Sequence, residues 1–306
     1  MGPSGDRRAR VRLETRDKEA TRTSSPPATI GPIGYAWRIA AIALAYAAAT
    51  AFSGAVLAAA GVPLPVFPQS AGQQQSVALL LAGALCLAAS LAPLARGSGG
   101  TTIGRWLVLA AFTYVCTSFN NAIEAAFFTT LGGTPAMMLM FLAPCLLAAW
   151  LAVALIPAAD AVTPARPLRG WWWRALLVWL AFPVIYSVFG MLAYPWVREL
   201  YERPDMGLRV PAGLVVVGVV LLRSLLFLAV LAPVIARWSR SRRALTFTLA
   251  AAMFVMVGLF GLLQTTWWPV GMRAVHALEI LADSAVYAWV AVALLGARSP
   301  AGPSRP

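Results

Sequence analysis

Residues 211–235 read PAGLVVVGVVLLRSLLFLAVLAPVI, an unbroken apolar run with a single charge, Arg223, twelve residues in. About 20 such residues cross the hydrocarbon core of a bilayer as a helix, so this run is long enough to span. In hydrocarbon every backbone polar group must be satisfied within the segment, which a helix does and an open strand does not. The run therefore decides the fold class, and it carries a charge to membrane depth.

Seven further apolar runs flank it, at about 37–60, 76–95, 106–130, 135–157, 172–194, 244–265 and 274–296. The breaks between them are turn-rich: Gly61-Val62-Pro63-Leu64-Pro65, Gly97-Ser98-Gly99-Gly100, Gly132-Gly133-Thr134-Pro135 and Trp267-Trp268-Pro269. Gly and Pro clusters of this kind end helices. Composition agrees. The 306 residues are 60% hydrophobic and 11% charged, with mean hydropathy +0.75. A soluble domain carries about 25% charged residues, so a soluble globular class is excluded.

The net charge of +13 does not mark a nucleic-acid binder, because the basic residues lie between the spans. With the amino terminus in the cytoplasm, the inner segments hold Arg38, Arg96, Arg105, Arg166, Arg169, Arg174, Arg237, Arg240, Arg242, Arg243, Arg298, Arg305 and the basic residues before Arg38. The outer segments hold Arg198, Arg203, Arg209 and Arg273. Positive charge favours the inside, and eight spans with both termini cytoplasmic satisfy that bias at every loop pair. Of the 24 basic residues only Lys18 is a lysine, an arginine-for-lysine bias that suggests a GC-rich bacterial genome. Residues 1–34, mixed in charge and with no apolar signal core before the first span, are expected to form a disordered basic cytoplasmic tail, with 35–298 the transmembrane domain and 299–306 a short cytoplasmic tail. Cys86, Cys116 and Cys145 all fall inside spans and read as small apolar residues, not as a disulfide framework. The segment 195–210 reads as an interfacial amphipathic turn serving as a surface connector, and Trp171-Trp172-Trp173 as an interfacial belt.

Charges inside spans are costly and mark function by default. On the third span Thr113, Thr117, Asn120 and Glu124 recur at helical spacing, with Asn121 beside them; on the eighth, His276, Glu279, Asp283 and Tyr287 do the same. Each stripe is expected to face the bundle interior or a wet cavity. At 1.5 Å per residue Glu124 lies roughly 6–9 Å below the outer end of its span and Arg223 about 18 Å down. Side chains lean toward a helix amino terminus, so Arg223 reaches outward and Glu124 inward, toward the level of Asp283. His276 and Glu279 are expected near the outer aqueous boundary, tolerated there without partners. Three readings follow: an ion-pair latch between Arg223 and Glu124 or Asp283, an outward-opening path for a small polar ligand or protons, and an intramembrane enzyme using Glu124 or Glu279 as acid or base.

His276 and Glu279 share a helix face at a spacing of three, which makes them candidate metal ligands. His276 is the only histidine, so sites built on several imidazoles are excluded. No HExxH, G-x-S-x-G, phosphate-binding loop or dinucleotide fingerprint is present, and no cofactor is implied. The similar strings Asn121-Ala122-Ile123-Glu124 and His276-Ala277-Leu278-Glu279 lie on spans of opposite direction and read as coincidence, so no internal repeat is expected.

Four strings carry a resemblance: Asn121-Ala122-Ile123-Glu124 before two phenylalanines, Pro195-Trp196-Val197-Arg198-Glu199-Leu200-Tyr201, Leu222-Arg223-Ser224-Leu225 with Pro233, and Val275-His276-Ala277-Leu278-Glu279. Over about 106–296 the chain resembles a group of uncharacterised bacterial multi-pass membrane proteins with no assigned activity. The resemblance implies an integral membrane protein and adds weight to Glu124, Arg223, His276 and Glu279. Asp283-Ser284 departs from the Ser-Asn that the group implies there. The chain is thus expected to be an all-α polytopic protein of the cell inner membrane, whose partners are the lipid bilayer and a small molecule or protons.

Overall fold

Gly61 shows how the helices are cut from the apolar runs: its φ of +70° ends a helix, and Val62 N–H turns back onto the Leu57 carbonyl. The computed structural model describes residues 31–65, 73–132, 134–158 and 170–296, and among these eight helices are long and apolar enough to cross a membrane. They are α1 (Pro32–Ala59), α2 (Gln73–Gly97), α3 (Thr102–Phe128), α4 (Thr134–Leu155), α5 (Trp171–Tyr201), α6 (Gly213–Ala236), α7 (Arg242–Gln264) and α8 (Val270–Leu295). The expected all-α, eight-span architecture is what the chain forms. Residues 1–30 and 297–306, on which most of the two tail readings fall, lie outside the described residues.

Alanines are interspersed among the large buried side chains of the interior, such as Tyr46, Phe112, Phe227 and Tyr287. Ala84, Ala88, Ala148, Ala149, Ala152, Ala252, Ala288 and Ala291 are buried, which lets helix backbones approach closely where lipid gives no hydrophobic drive between helices. Other large apolar side chains point outward: Phe52, Val184, Leu214, Phe247 and Trp289 are exposed, as lipid-facing residues are.

A four-helix unit occurs twice, contrary to the expectation from sequence. α2 and α6 begin at residues 73 and 213, and α3 and α7 at 102 and 242, each pair 140 residues apart. α1 packs on α2 and α4 as α5 packs on α6 and α8. Pro93 in α2 matches Pro233 in α6. Thr101 and Ser241 cap α3 and α7 in the same way, each side chain accepting the N–H three residues on. Both capped helices then widen into a π turn, at Val115–Phe119 and Phe254–Leu259, and these two turns touch. The units meet in a reciprocal pair: Gly99 N–H donates to the Arg237 carbonyl at 2.7 Å, and Ser239 N–H to the Gly97 carbonyl at 2.9 Å. Such a self-complementary contact is what a two-fold axis produces. Because each unit has four spans, the two lie parallel and the axis follows the membrane normal. The repeat escapes a string search because its similarity lies in helix starts and caps, and because the likeness that stands out, Asn121–Glu124 with His276–Glu279, is out of register with it.

The segment after 194 also differs from expectation. α5 does not stop at Tyr194 but runs through Pro195 to Tyr201, so the interfacial turn is a helical extension followed by a short 3-10 turn at Pro204–Met206. Burial of Ala193 and Val197 along this last stretch offsets the backbone bond that Pro195 forfeits.

Candidate functional site

The reciprocal pair closes one end of the bundle. At the other end, among the α3–α4, α5–α6 and α7–α8 connections, lies a cavity of about 700 Å³ lined by every helix but α1 and α6. Its walls are apolar, with Leu79, Met137, Met140, Phe141, Phe260 and Leu262. Its floor is not: Glu124, Tyr186, Tyr201, His276 and Glu279 meet there. Below them a smaller pouch of about 80 Å³ is bounded by Arg223, Asp283 and Ser284, and shares Glu124, His276 and Glu279 with the cavity.

The π turn in α3 sets which residues reach the floor. Its extra residue turns the helix beyond it, so Thr117, Asn121, Glu124 and Phe128 face the cavity. Asn121 Nδ2 donates to the Thr117 carbonyl at 3.0 Å inside that turn. Asn120, grouped with the site on sequence, does not line the cavity; it is fully buried in the helix interface. That is the register change the π turn imposes.

Glu124 and Arg223 meet, with Arg223 Nη2 2.8 Å from Glu124 Oε2. The guanidinium is 3% exposed and the carboxylate 37%, so Glu124 still reaches the cavity while Arg223 lies behind it. Arg223 also sits over the Tyr186 ring, 5.8 Å from its centroid. Its Nε and Nη1 have no hydrogen-bond partner among the described residues, and neither has Asp283 Oδ1 in the same pouch.

His276 Nδ1 and Glu279 Oε2 are 2.8 Å apart. These side chains are 14% and 11% exposed, which corrects the expectation of an open aqueous boundary: Tyr201 and Trp268 flank the imidazole at centroid distances of 6.3 and 5.7 Å. The cause is the extension of α5 past Pro195 and the turn after α7, both of which fold over the start of α8. His276 Nε2 is buried without a partner among the described residues. No third His, Cys, Asp or Glu joins His276 and Glu279 in a metal-ligand group among the described residues.

The segment expected to be a surface connector forms cavity wall, through Leu208, Arg209 and Val210. Arg209 is tied down by the carbonyls of Ala126 and Phe127 at the end of α3, and Leu208 pairs with Thr129 as an isolated bridge. Beside it Arg203 clamps Asp205 with two bonds of 3.1 and 2.6 Å and holds its carboxyl below the usual carboxylate range. The residues missed on sequence are aromatic and sulfur-bearing: Tyr186, Tyr201, Met137 and Met140. Tyr186 carried a usable signal, a hydroxyl amid an apolar run, matched 140 residues earlier by Tyr46.

The two-fold also shows that the charges gather at one of two equivalent sites between the units, Glu124 coming from the first unit and Arg223, His276, Glu279 and Asp283 from the second. The positions equivalent to Arg223 and Glu124 are Gly83 and Gln264, and Gly83 is closed over by the Phe260 ring. The site related to the charged one by the two-fold is thus neutral. No family model matches the chain, and neither a curated protein nor a solved structure does.

Proposed function

We propose that the chain is an integral protein of a bacterial plasma membrane whose cavity faces outward, binds a small molecule through its polar floor, and passes that molecule or protons across the membrane. One observation carries the reading: an ionisable floor, present at only one of two sites related by the two-fold, lies at the bottom of a cavity of about 700 Å³. That volume falls within the range of small-molecule sites, roughly 300–1,000 Å³. The arginine distribution supports the outward direction, since the closed end carries Arg96, Arg105, Arg237 and Arg242. Parallel repeats about a membrane-normal axis support movement of the two units against each other, as in transporters of that build.

The test uses accessibility and needs no ligand. With Cys86, Cys116 and Cys145 replaced by alanine, Gly261→Cys places a thiol on the cavity wall where nothing crowds it. An impermeant thiol reagent is expected to label it in right-side-out vesicles, and more slowly in inside-out ones. Ser98 and Trp238 face each other between the reciprocal bonds, a pairing with Cα atoms about 4.5 Å apart that accepts a disulfide. Oxidising Ser98→Cys with Trp238→Cys should abolish only the inside-out labelling. No right-side-out labelling would sink the outward cavity, and no inside-out labelling would sink passage.

A second reading has its own observation. Glu279 orients His276 at 2.8 Å and leaves Nε2 free, the arrangement of a general base. Passage abolished without loss of cavity access would favour an intramembrane enzyme.

A further inference from the structure

Counting charge at the floor shows an imbalance. Glu124, Glu279 and Asp283 are three carboxylates, and the fixed positive charge among them is Arg223. Arg209 stands at the mouth, its Nε and Nη2 donating to the carbonyls that end α3. His276 adds a positive charge only when protonated, and its Nδ1 is already engaged with Glu279. A floor at membrane depth whose carboxylates outnumber its fixed cations takes up positive charge, either as protons on the carboxylates or as a bound cation. We infer that the cavity takes an organic cation with an apolar body, seated against Glu279 and Glu124 in competition with protons. This deepens the ligand-cavity reading above and rests on it.

Geometry divides the two positive species. The pouch of about 80 Å³ beneath the floor has room for protons and a few waters, and Asp283, 6% exposed with Oδ1 unpartnered, aims into it. The cavity above is large enough for an organic body, and its Met137, Met140, Phe141 and Leu262 walls reward apolar surface. Between them, Tyr201 and Trp268 offer aromatic faces beside the carboxylates, the surroundings in which ammonium-type cations bind. An anion is disfavoured despite the free guanidinium nitrogens, because Arg223 lies behind Glu124 and an anion must pass two carboxylates to reach it. The site related to it by the two-fold offers no such floor, with Gly83 and Gln264 in place of Arg223 and Glu124.

Competition follows from shared acceptors. A carboxylate oxygen that holds a proton cannot also pair with a cation, so each cation bound sends a proton to the outer water. The groups facing Glu279 and Asp283 are Glu124 from α3, Tyr186 and Tyr201 from α5, Arg223 from α6 and His276 from α8 itself; α7 presents Met253 and Val257. Protonating His276 acts in the same direction as protonating a carboxylate. Both weaken cation binding as pH falls.

The experiment compares two ions of nearly equal size and shape and opposite charge. Tetraphenylphosphonium and tetraphenylborate are titrated into the purified full-length protein in detergent, with empty micelles subtracted, between about pH 8 and pH 5. Tetraphenylphosphonium is expected to bind with about one proton released, and its affinity to fall by up to about tenfold per pH unit while that proton is exchanged. Glu279→Gln is expected to weaken binding at the high-pH end and flatten the pH dependence. Binding that is independent of pH in the wild-type protein, or tetraphenylborate binding as tight, would overturn the cation assignment and leave an apolar ligand cavity standing. If neither ion binds while Gly261→Cys is still labelled from outside, the cation assignment falls and the open cavity remains. The wild-type pH profile and the borate control decide the matter even if Glu279→Gln does not fold.

Discussion

At the scale of single residues, the pair that matters most is unequal in burial. Arg223 is 3% exposed and Glu124 37%, so losing one partner is not the mirror of losing the other. Glu124→Gln leaves a buried guanidinium without its ion-pair partner, which should cost toward the lower end of about 3–5 kcal/mol. Arg223→Gln leaves a carboxylate that cavity water reaches, and should cost about 1–3 kcal/mol. Unfolding in detergent should show that order, with the double variant milder than the sum; strict additivity would mean the contact contributes nothing. The meeting of these two residues was legible from depth along two helices and the lean of their side chains. The burial of His276 and Glu279 was not, because what covers them, Tyr201 and Trp268, comes from α5 and from the turn after α7, and sequence periodicity along α8 carries no information about either.

At the scale of elements, arginines at the end that carries the reciprocal pair tie helices together. Arg105, near the start of α3, donates Nη2 to the Ala95 and Ile156 carbonyls at 2.7 and 3.2 Å, tying off the ends of α2 and α4. Arg242, at the start of α7, does the same for α8 through the Val292 and Ala293 carbonyls at 2.7 and 3.0 Å. A cation at a helix C-terminus satisfies orphan carbonyls and opposes the dipole. Arg105→Gln should therefore destabilise by about 1.5–3 kcal/mol, the range for bonds to charged groups, while the topology stays unchanged in a reporter assay. An unchanged melting temperature would reduce Arg105 to a topological charge. Span positions were readable because hydrophobic length is a property of one segment. The π turns and the run of α5 through Pro195 were not, since both are stabilised by neighbours packed against them.

At the scale of the whole molecule, the orientation remains the most direct thing to measure. Fusions reporting the cytoplasm should be active after Arg96 and Arg243, and a periplasmic reporter active near Asp205; a cytoplasmic signal at Asp205 would invert or break the eight-span arrangement. The count of spans was legible, and the two-fold relation among them was not, because identity between the units has worn down to scattered positions such as Tyr46 with Tyr186 and Pro93 with Pro233. The closing contact between the units, Gly97–Gly99 against Arg237–Ser239, has a consequence for descent. Two surfaces that fit each other reciprocally are what two copies of one four-span chain would present to each other. Four spans return a polypeptide to the side it started from, so two such genes could fuse end to end through a short connection with neither copy inverted. Separate drift after such a fusion would account for two unlike sites between the units: one holds Arg223 with Glu124, and the other Gly83 under the Phe260 ring.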